Sequence, residues 1–314
     1  MEQVDLIWHN GELVAWEDAK VHVLSHGLHY GTSVFEGERA YETPRGPAIF
    51  RHRDHLARLL QSAQLYYMPL PYTLEELRTA THELIAANGL RECYVRPLAY
   101  RGYGQMGINP LDCEVSVSIA VWPWGAYLGD AAKKQGVRGK ISSWRRITGE
   151  SLIPHAKAGG QYLNSVLAKI ESVKAGYEEA ILLDSRGFVC EGSGENIFIV
   201  RDGEIVTPPQ TASILDGISR KSVMTIARDL GYVVIERDLT RSELMLADEV
   251  FVTGTAAELV ALCEIDDQKI GQGGTGPITA ELQRVFEGAL RGTEPRYADW
   301  LDVVEVPSRA SAAT

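Results

Sequence analysis

His155-Ala-Lys-Ala-Gly-Gly-Gln-Tyr-Leu-Asn164 is the stretch from which the rest of the chain is read. It sets Lys157 before a double glycine that opens a helix. From Gln161 to Lys174 the apolar residues Leu163, Val166, Leu167, Ile170 and Val173 recur at helical spacing, and Gly176 supplies a stop. An ammonium just outside a helix start faces the positive end of the helix dipole, and burial would disfavour its charge further, toward a neutral amine. A neutral lysine amine is a nucleophile that forms Schiff bases with carbonyl compounds. Taken alone the signal is weak, because most lysines are solvated surface charges.

Working outward, the amino-terminal half begins with Asn10-Gly11 between two apolar-rich runs, the turn chemistry of a β-hairpin. Residues 33–41 alternate like a strand, turn through 44–46, and return over 47–51. Asp54 is suited to an N-cap ahead of a helical stripe ending near Leu65, and Thr73 with Glu76 forms a capping box for a second helix. Residues 92–100 and 114–122 read as strands flanking a glycine-rich loop, 102–107. This predicts an α+β domain over 1–124, with a connection at 125–136 and a second domain over 137–306. In the second domain, strands are expected at 136–144, 179–184, 188–191, 196–200, 204–206, 232–237 and 249–253, with helices at 218–230 and 277–290. Residues 307–314 lack apolar periodicity and are expected to be disordered.

The chain has 314 residues, 45% hydrophobic and 23% charged, with a formal charge of −11, so a basic surface for nucleic acid or anionic lipid is not expected. Cys93, Cys113, Cys190 and Cys263 form no Cys-x-x-Cys pair, and His22, His26, His29 and His52 have no carboxylate or cysteine at ligand spacing; no metal is expected. With no basic region followed by an apolar run at the amino terminus and no long apolar segment, a cytoplasmic location is expected.

The lysine has company: Glu191-Gly-Ser-Gly-Glu-Asn-Ile-Phe198, Ile205-Val-Thr207 and Leu215-Asp-Gly-Ile-Ser-Arg220 follow it in order. This set resembles the signature of the class IV pyridoxal-phosphate aminotransferases. The likeness covers nearly the whole chain and is nearest to the bacterial branched-chain-amino-acid group, through residues 25–37, Tyr94-Val-Arg96, Trp124-Gly-Ala-Tyr127, Lys157-Ala-Gly-Gly160 and Gly254-Thr-Ala-Ala-Glu258. It implies a smaller α+β domain, a larger domain with a β-barrel-like core flanked by helices, pyridoxal 5′-phosphate held between them, and a homodimer or higher homo-oligomer.

The resemblance also implies residue roles. Lys157 would carry the cofactor as a Schiff base and shuttle the substrate proton, Glu191 would hold the pyridine nitrogen protonated, and Tyr162 would bond the phenolate oxygen. Arg58, Gly217, Ile218, Ser219, Gly254 and Thr255 would hold the cofactor, its phosphate above all. Ser219 stands where threonine is more usual. Tyr30, Phe35, Gly37, Met106, Trp124 and Tyr127 would line the substrate pocket, and Arg96 would meet the distal carboxylate of glutamate. Tyr94 and the turn Thr255-Ala256-Ala257 would take the α-carboxylate. Singly, each aromatic could equally be core packing and Arg58 a surface helix residue. Strand alternation puts Tyr94 with Arg96 on one face and Phe35 with Gly37 on one face, leaving Glu38 opposite. The implied activity is reversible transamination of leucine, isoleucine or valine with 2-oxoglutarate. D-amino-acid transamination, aminodeoxychorismate lysis and a non-catalytic cofactor carrier are the alternatives.

Overall fold

The computed structural model describes residues 2–124 and 135–305, so Tyr127, most of the expected connection at 125–136 and the tail at 307–314 lie outside the described residues. Contacts divide the chain into two compact units that are not contiguous in sequence. The first is Met1–Trp124, Ala156–Gly160 and Gly288–Thr314; the second is Gly125–His155 and Gln161–Glu287.

In the first unit, β1 (Leu6–His9) and β2 (Glu12–Ala15) form the expected hairpin, with Asn10 at φ 48° and Gly11 at φ 98° giving the left-handed pair that such a turn requires. There follow α1 (His26–Tyr30), β3 (Ser33–Phe35), β4 (Glu38–Thr43), β5 (Gly46–Phe50), α2 (His52–Leu65), α3 (Leu74–Ala87), β6 (Cys93–Arg101) and β7 (Val115–Trp122). The expected single strand over 33–41 is thus interrupted at Glu36-Gly37, although Phe35↔Leu98 and Glu38↔Val95 keep one register against β6. Asp54 is not an N-cap: Arg51 occupies that position in the left-handed region, and its Nε donates to Asp54 Oδ2 at 2.5 Å. The Thr73/Glu76 capping box forms as expected. A late strand, Leu301–Val303, adds to the edge of the sheet beside β5. Leu56, Leu59, Leu77, Leu84 and Ile85 of α2 and α3 pack on Val95, Val117, Ile119 and Val121 of the sheet, each fully buried side chain contributing about 1.5–3 kcal/mol.

The second unit is built on β8 (Val137–Arg145), β9 (Glu179–Leu183), β10 (Val189–Gly192), β11 (Asn196–Arg201), β12 (Glu204–Thr207), β13 (Val234–Glu236), β14 (Glu249–Gly254), β15 (Glu258–Ile265) and β16 (Gln268–Lys269). The order β10-β9-β8-β15-β14-β11 closes on itself because β10 also pairs with β11 through Glu191↔Asn196. Six strands therefore form the barrel-like core that the resemblance implied. Helices Tyr162–Lys174, Ile218–Asp229 and Pro277–Leu290 flank it. Strand β15, the helix Arg241–Met245 and the strand Leu301–Val303 were not among the expected elements, although β15 is a nearly continuous apolar run and Thr240 with Glu243 forms a capping box.

The Tyr162–Lys174 helix turns its apolar stripe outward. Leu163, Val166, Leu167, Ile170 and Val173 are all exposed, whereas the small residues Ser165, Ala168 and Ser172 are buried; Ala168 packs with Ala180 and Leu182 of β9. Small residues at 3–4 spacing let the helix lie close on the sheet, leaving the larger apolar face uncovered among the described residues.

Candidate active site

In the first unit the lysine segment is stitched to strand and helix. Val34 and Ala158 form an antiparallel bridge, the Phe35 N–H donates to the Lys157 carbonyl at 3.0 Å, and the Lys157 N–H donates to Ser62 Oγ at 3.1 Å. The double glycine follows from this close passage. A side-chain carbon at Gly159 would stand 2.3 Å from Ser33 Oγ, and one at Gly160 would stand 3.1 Å from the Gly31 carbonyl. Gly159–Gln161 forms a 3-10 turn before the helix. The half-buried Lys157 projects its Nζ to 4.9 Å from the centre of the Phe35 ring.

Arg96 sits in an aromatic enclosure. Its guanidinium carbon lies 4.8 Å from the Phe35 ring centre, 5.2 Å from Tyr94 and 6.0 Å from Trp122, and Nη2 donates to the Tyr94 hydroxyl at 3.3 Å. Tyr94 stacks on Trp122 at 4.9 Å and meets Trp124 at 5.1 Å. Gly37 is required here, since a side-chain carbon would fall 2.0 Å from the Tyr94 hydroxyl oxygen. Arg96 Nε and Trp122 Nε1 are buried donors without a partner among the described residues, which is the condition an incoming carboxylate would relieve. Trp122 was not anticipated, although its pairing with Tyr94 across β6 and β7 puts both on one face.

Arg58 is part-buried and held by a carboxylate that sequence reasoning passed over. Glu36, fully buried, accepts from Arg58 Nε at 2.6 Å, Arg58 Nη2 at 2.8 Å and His55 Nδ1 at 2.7 Å. Burial by itself would raise the Glu36 carboxyl, but the Arg58 charge and hydrogen bonds, with His55, outweigh it and hold the group well below the usual carboxylate range. Glu38 faces away from Arg96 as alternation required, and lies buried against His52. Tyr30 stands apart from the enclosure, 47% exposed with its ring against His26 and His29, and Met106 is exposed on the 102–108 loop.

In the second unit Glu191 ends its strand in a ring of donors. Its Oε2 accepts from the Leu215 N–H at 3.0 Å and from Asn196 Nδ2 at 3.3 Å, and its Oε1 lies 2.7 Å from Arg146 Nε. That last contact is an ion pair rather than an aligned hydrogen bond, since the Nε–H has no acceptor in good geometry. Both side chains are 8% exposed, so the pair is only weakly screened. Nearby Glu195 is pushed up to about 8 by burial and by the charge of Glu179, which itself accepts from Lys169 Nζ and Ser193 Oγ, each at 2.5 Å. Gly217 caps the Ile218–Asp229 helix with no side-chain cap and no acid in the first turn, leaving the first-turn N–H groups, including those of Ile218 and the buried Ser219, for an external acceptor. Gly254 ends β14, and Thr255-Ala256-Ala257 make the tight turn into β15, fixed by Thr253 Oγ1 donating to the Glu258 carbonyl at 2.7 Å. Tyr162 is half-buried at the first position of its helix.

These groups fit pyridoxal 5′-phosphate, the cofactor implied by the sequence resemblance. In the first unit the Lys157 amine and the Arg58 guanidinium suit an aldehyde and a phosphate, and the orphaned donors at Arg96 and Trp122 suit a carboxylate substrate; in the second unit the Glu191 carboxylate, the Tyr162 phenol and the uncapped helix amino end suit a pyridine nitrogen, a phenolate and a phosphate.

Fold and donor set together define a class, and comparison with known proteins agrees. Residues 33–265 match the family model described as amino-transferase class IV. The chain belongs to the class IV aminotransferases. It is 47% identical over 305 residues to the branched-chain-amino-acid aminotransferase of Escherichia coli K12, covering 96% of this chain and 98% of that one. Among solved structures, the T.th. branched-chain amino acid aminotransferase complexed with N-(5′-phosphopyridoxyl)-L-glutamate superposes with a TM-score of 0.93 at 48% identity, over 97% of this chain and 100% of that one. The same enzyme complexed with 4-methylvaleric acid gives a TM-score of 0.93 at 47% identity and the same coverage.

Proposed function

We propose that this chain catalyses reversible transamination of leucine, isoleucine or valine with 2-oxoglutarate, by a ping-pong cycle. The observation that carries this reading is the Arg96 guanidinium enclosed by Phe35, Tyr94 and Trp122. One pocket must take a branched aliphatic side chain and, in the other half-reaction, the acidic side chain of glutamate. An apolar wall with a cation at its edge serves both. The two T.th. complexes, one with a glutamate adduct and one with a branched aliphatic acid, support the same pairing.

Pyridoxal 5′-phosphate, when bound, supplies the electron sink that stabilises negative charge at the substrate α-carbon. Lys157 would tether it and move the α-proton; Glu191, kept oriented by Leu215, Asn196 and Arg146, would serve the pyridine nitrogen; Tyr162 would donate to the phenolate oxygen. Arg58, the Gly217-Ile218-Ser219 helix start, Gly254 and Thr255 would take the phosphate. Tyr94, Ala256 and Ala257 position the α-carboxylate, while Phe35, Gly37 and Trp124, with Tyr127, shape the side-chain pocket.

The reading extends to a homo-oligomer in the cytoplasm. Its support is the uncovered apolar face of the Tyr162–Lys174 helix and, on the first unit, the exposed Val23, Leu28, Tyr103 and Ile108, the last 88% exposed. In such an assembly Tyr30 and Met106 would border a partner's pocket. No helix of the described residues is long and apolar enough to cross a membrane.

Steady-state turnover with 2-oxoglutarate as acceptor tests the assignment. L-leucine should be a good amino donor and D-alanine a poor one, and Lys157→Ala should lose at least about a thousandfold in kcat with L-leucine. Preference for D-alanine would overturn the branched-chain reading in favour of another class IV reaction.

A further inference from the structure

Apart from the groups above, a second cluster of titratable side chains forms in the first unit from positions far apart in sequence. His52 opens α2, His82 lies on α3, and Asp302 lies on β17 (Leu301–Val303). Each offers one ligand atom, and these atoms all lie within 4.8 Å of one another. His52 is 1% exposed, and the side chains of His82 and Asp302 are 17% and 14% exposed.

The ring nitrogens are arranged for an acceptor of lone pairs. His52 Nδ1 lies 2.5 Å from Oε2 of the wholly buried Glu38. A carboxylate at one nitrogen fixes the tautomer with its proton there, leaving Nε2 as a lone pair, which is how carboxylates orient metal-binding histidines. Among the described residues, His52 Nε2 is buried with no hydrogen-bond partner, and His82 Nε2, also buried, has only a long ion-pair contact, 3.5 Å from Asp302 Oδ1. Arg78 orients the aspartate, Nε donating to Oδ2 at 2.6 Å and Nη2 to Oδ1 at 2.5 Å. A carboxylate has about four lone-pair sites, so this fork does not exhaust Asp302.

We propose that His52, His82 and Asp302 form a binding site for a first-row divalent transition ion, with Zn2+ the natural occupant, that fastens the carboxy-terminal strand β17 to helices α2 and α3. Two imidazole nitrogens and one carboxylate oxygen suit Zn2+, Ni2+ or Co2+ and not Mg2+ or Ca2+, which prefer all-oxygen shells. Tetrahedral Zn2+ has bonds of about 2.0–2.2 Å, so its ligand atoms stand roughly 3.5 Å apart. The widest pair must therefore draw in by about an ångström, within reach of side-chain rotation. Three protein ligands leave the fourth position to water. The Arg78 charge opposes the ion, which places the affinity below that of a closed structural zinc site.

The test uses the full chain cleared of metal with a chelator and then dialysed against Zn2+, Co2+ or Mg2+. The site predicts one saturable equivalent of Zn2+ per chain, none of Mg2+, a Co2+ absorption spectrum of low-coordinate type, and a thermal midpoint that rises with free Zn2+. His82→Gln, at a part-exposed position, should lower Zn2+ affinity at least tenfold and abolish the Co2+ signal. Glu38→Gln should lower affinity by about ten- to a hundredfold. Zn2+ uptake by His82→Gln equal to that of the parent, or no saturable uptake by the parent, would overturn the proposal and leave the cluster as a His82–Asp302–Arg78 ion-pair network. None of these readouts depends on transamination.

Discussion

In the proposed function, dual substrate recognition rests on Arg96. Its Nε–H is buried without a partner among the described residues, so a substrate carboxylate would gain a charge-assisted hydrogen bond worth about 1.5–3 kcal/mol. Arg96→Met should therefore raise KM for 2-oxoglutarate by about ten- to a hundredfold while moving KM for L-leucine by less than about threefold. Equal rises for both substrates, in steady-state kinetics, would mean that the guanidinium only supports the pocket wall. Lys157, Glu191 and Arg96 stand in sequence motifs and could be picked out from them as candidates. Glu36, Trp122 and Arg146 were not, because their importance lies in contacts with Arg58, Tyr94 and Glu191 that only long-range pairing creates.

At the scale of elements, the corner between β10 and β11 buries two carboxylates side by side. Glu179 is saturated by donors, and buried Glu195 beside it is raised to about 8. The native chain then keeps a proton that the unfolded chain has released, so stability falls as pH rises from the ordinary carboxylate range to about 8 and levels off above it. Glu195→Gln should flatten that decline and be the more stable form at pH 8 and above, measured by urea unfolding across the window; an unchanged slope would show that Glu195 is ionised in the native state. The Tyr162–Lys174 helix makes a different point. Its 3.6-residue period was plain in the sequence, but the period cannot say what covers the apolar side, and here the small residues face the sheet. Leu167→Asp with Ile170→Asp should leave the helix intact and yield a smaller species in sedimentation velocity. An unchanged sedimentation coefficient would place the oligomer contact elsewhere.

For the whole molecule, local signals specified most strands and flanking helices, since turn residues and caps are short-range chemistry: Asn10-Gly11 and Thr73 with Glu76 both stand where expected. Closure of the six-strand ring was not local. Glu191 pairs with Asn196 across a short turn, but the ring also needs β8 running parallel to both β9 and β15, and β14 lying against β11, partners separated by helices and loops. The resemblance implied that closure; alternation could not. What unites the chain is the claim that Lys157 tethers pyridoxal 5′-phosphate for exchange of amino groups with branched-chain L-amino acids. The most direct measurement is the visible absorption spectrum of the cofactor-loaded full chain, recorded before and after L-leucine with no oxo acid present. The long-wavelength band should fade on addition of L-leucine, return with 2-oxoglutarate, and show no such cycle in Lys157→Ala. A band that L-leucine leaves unchanged in the parent chain would contradict the account.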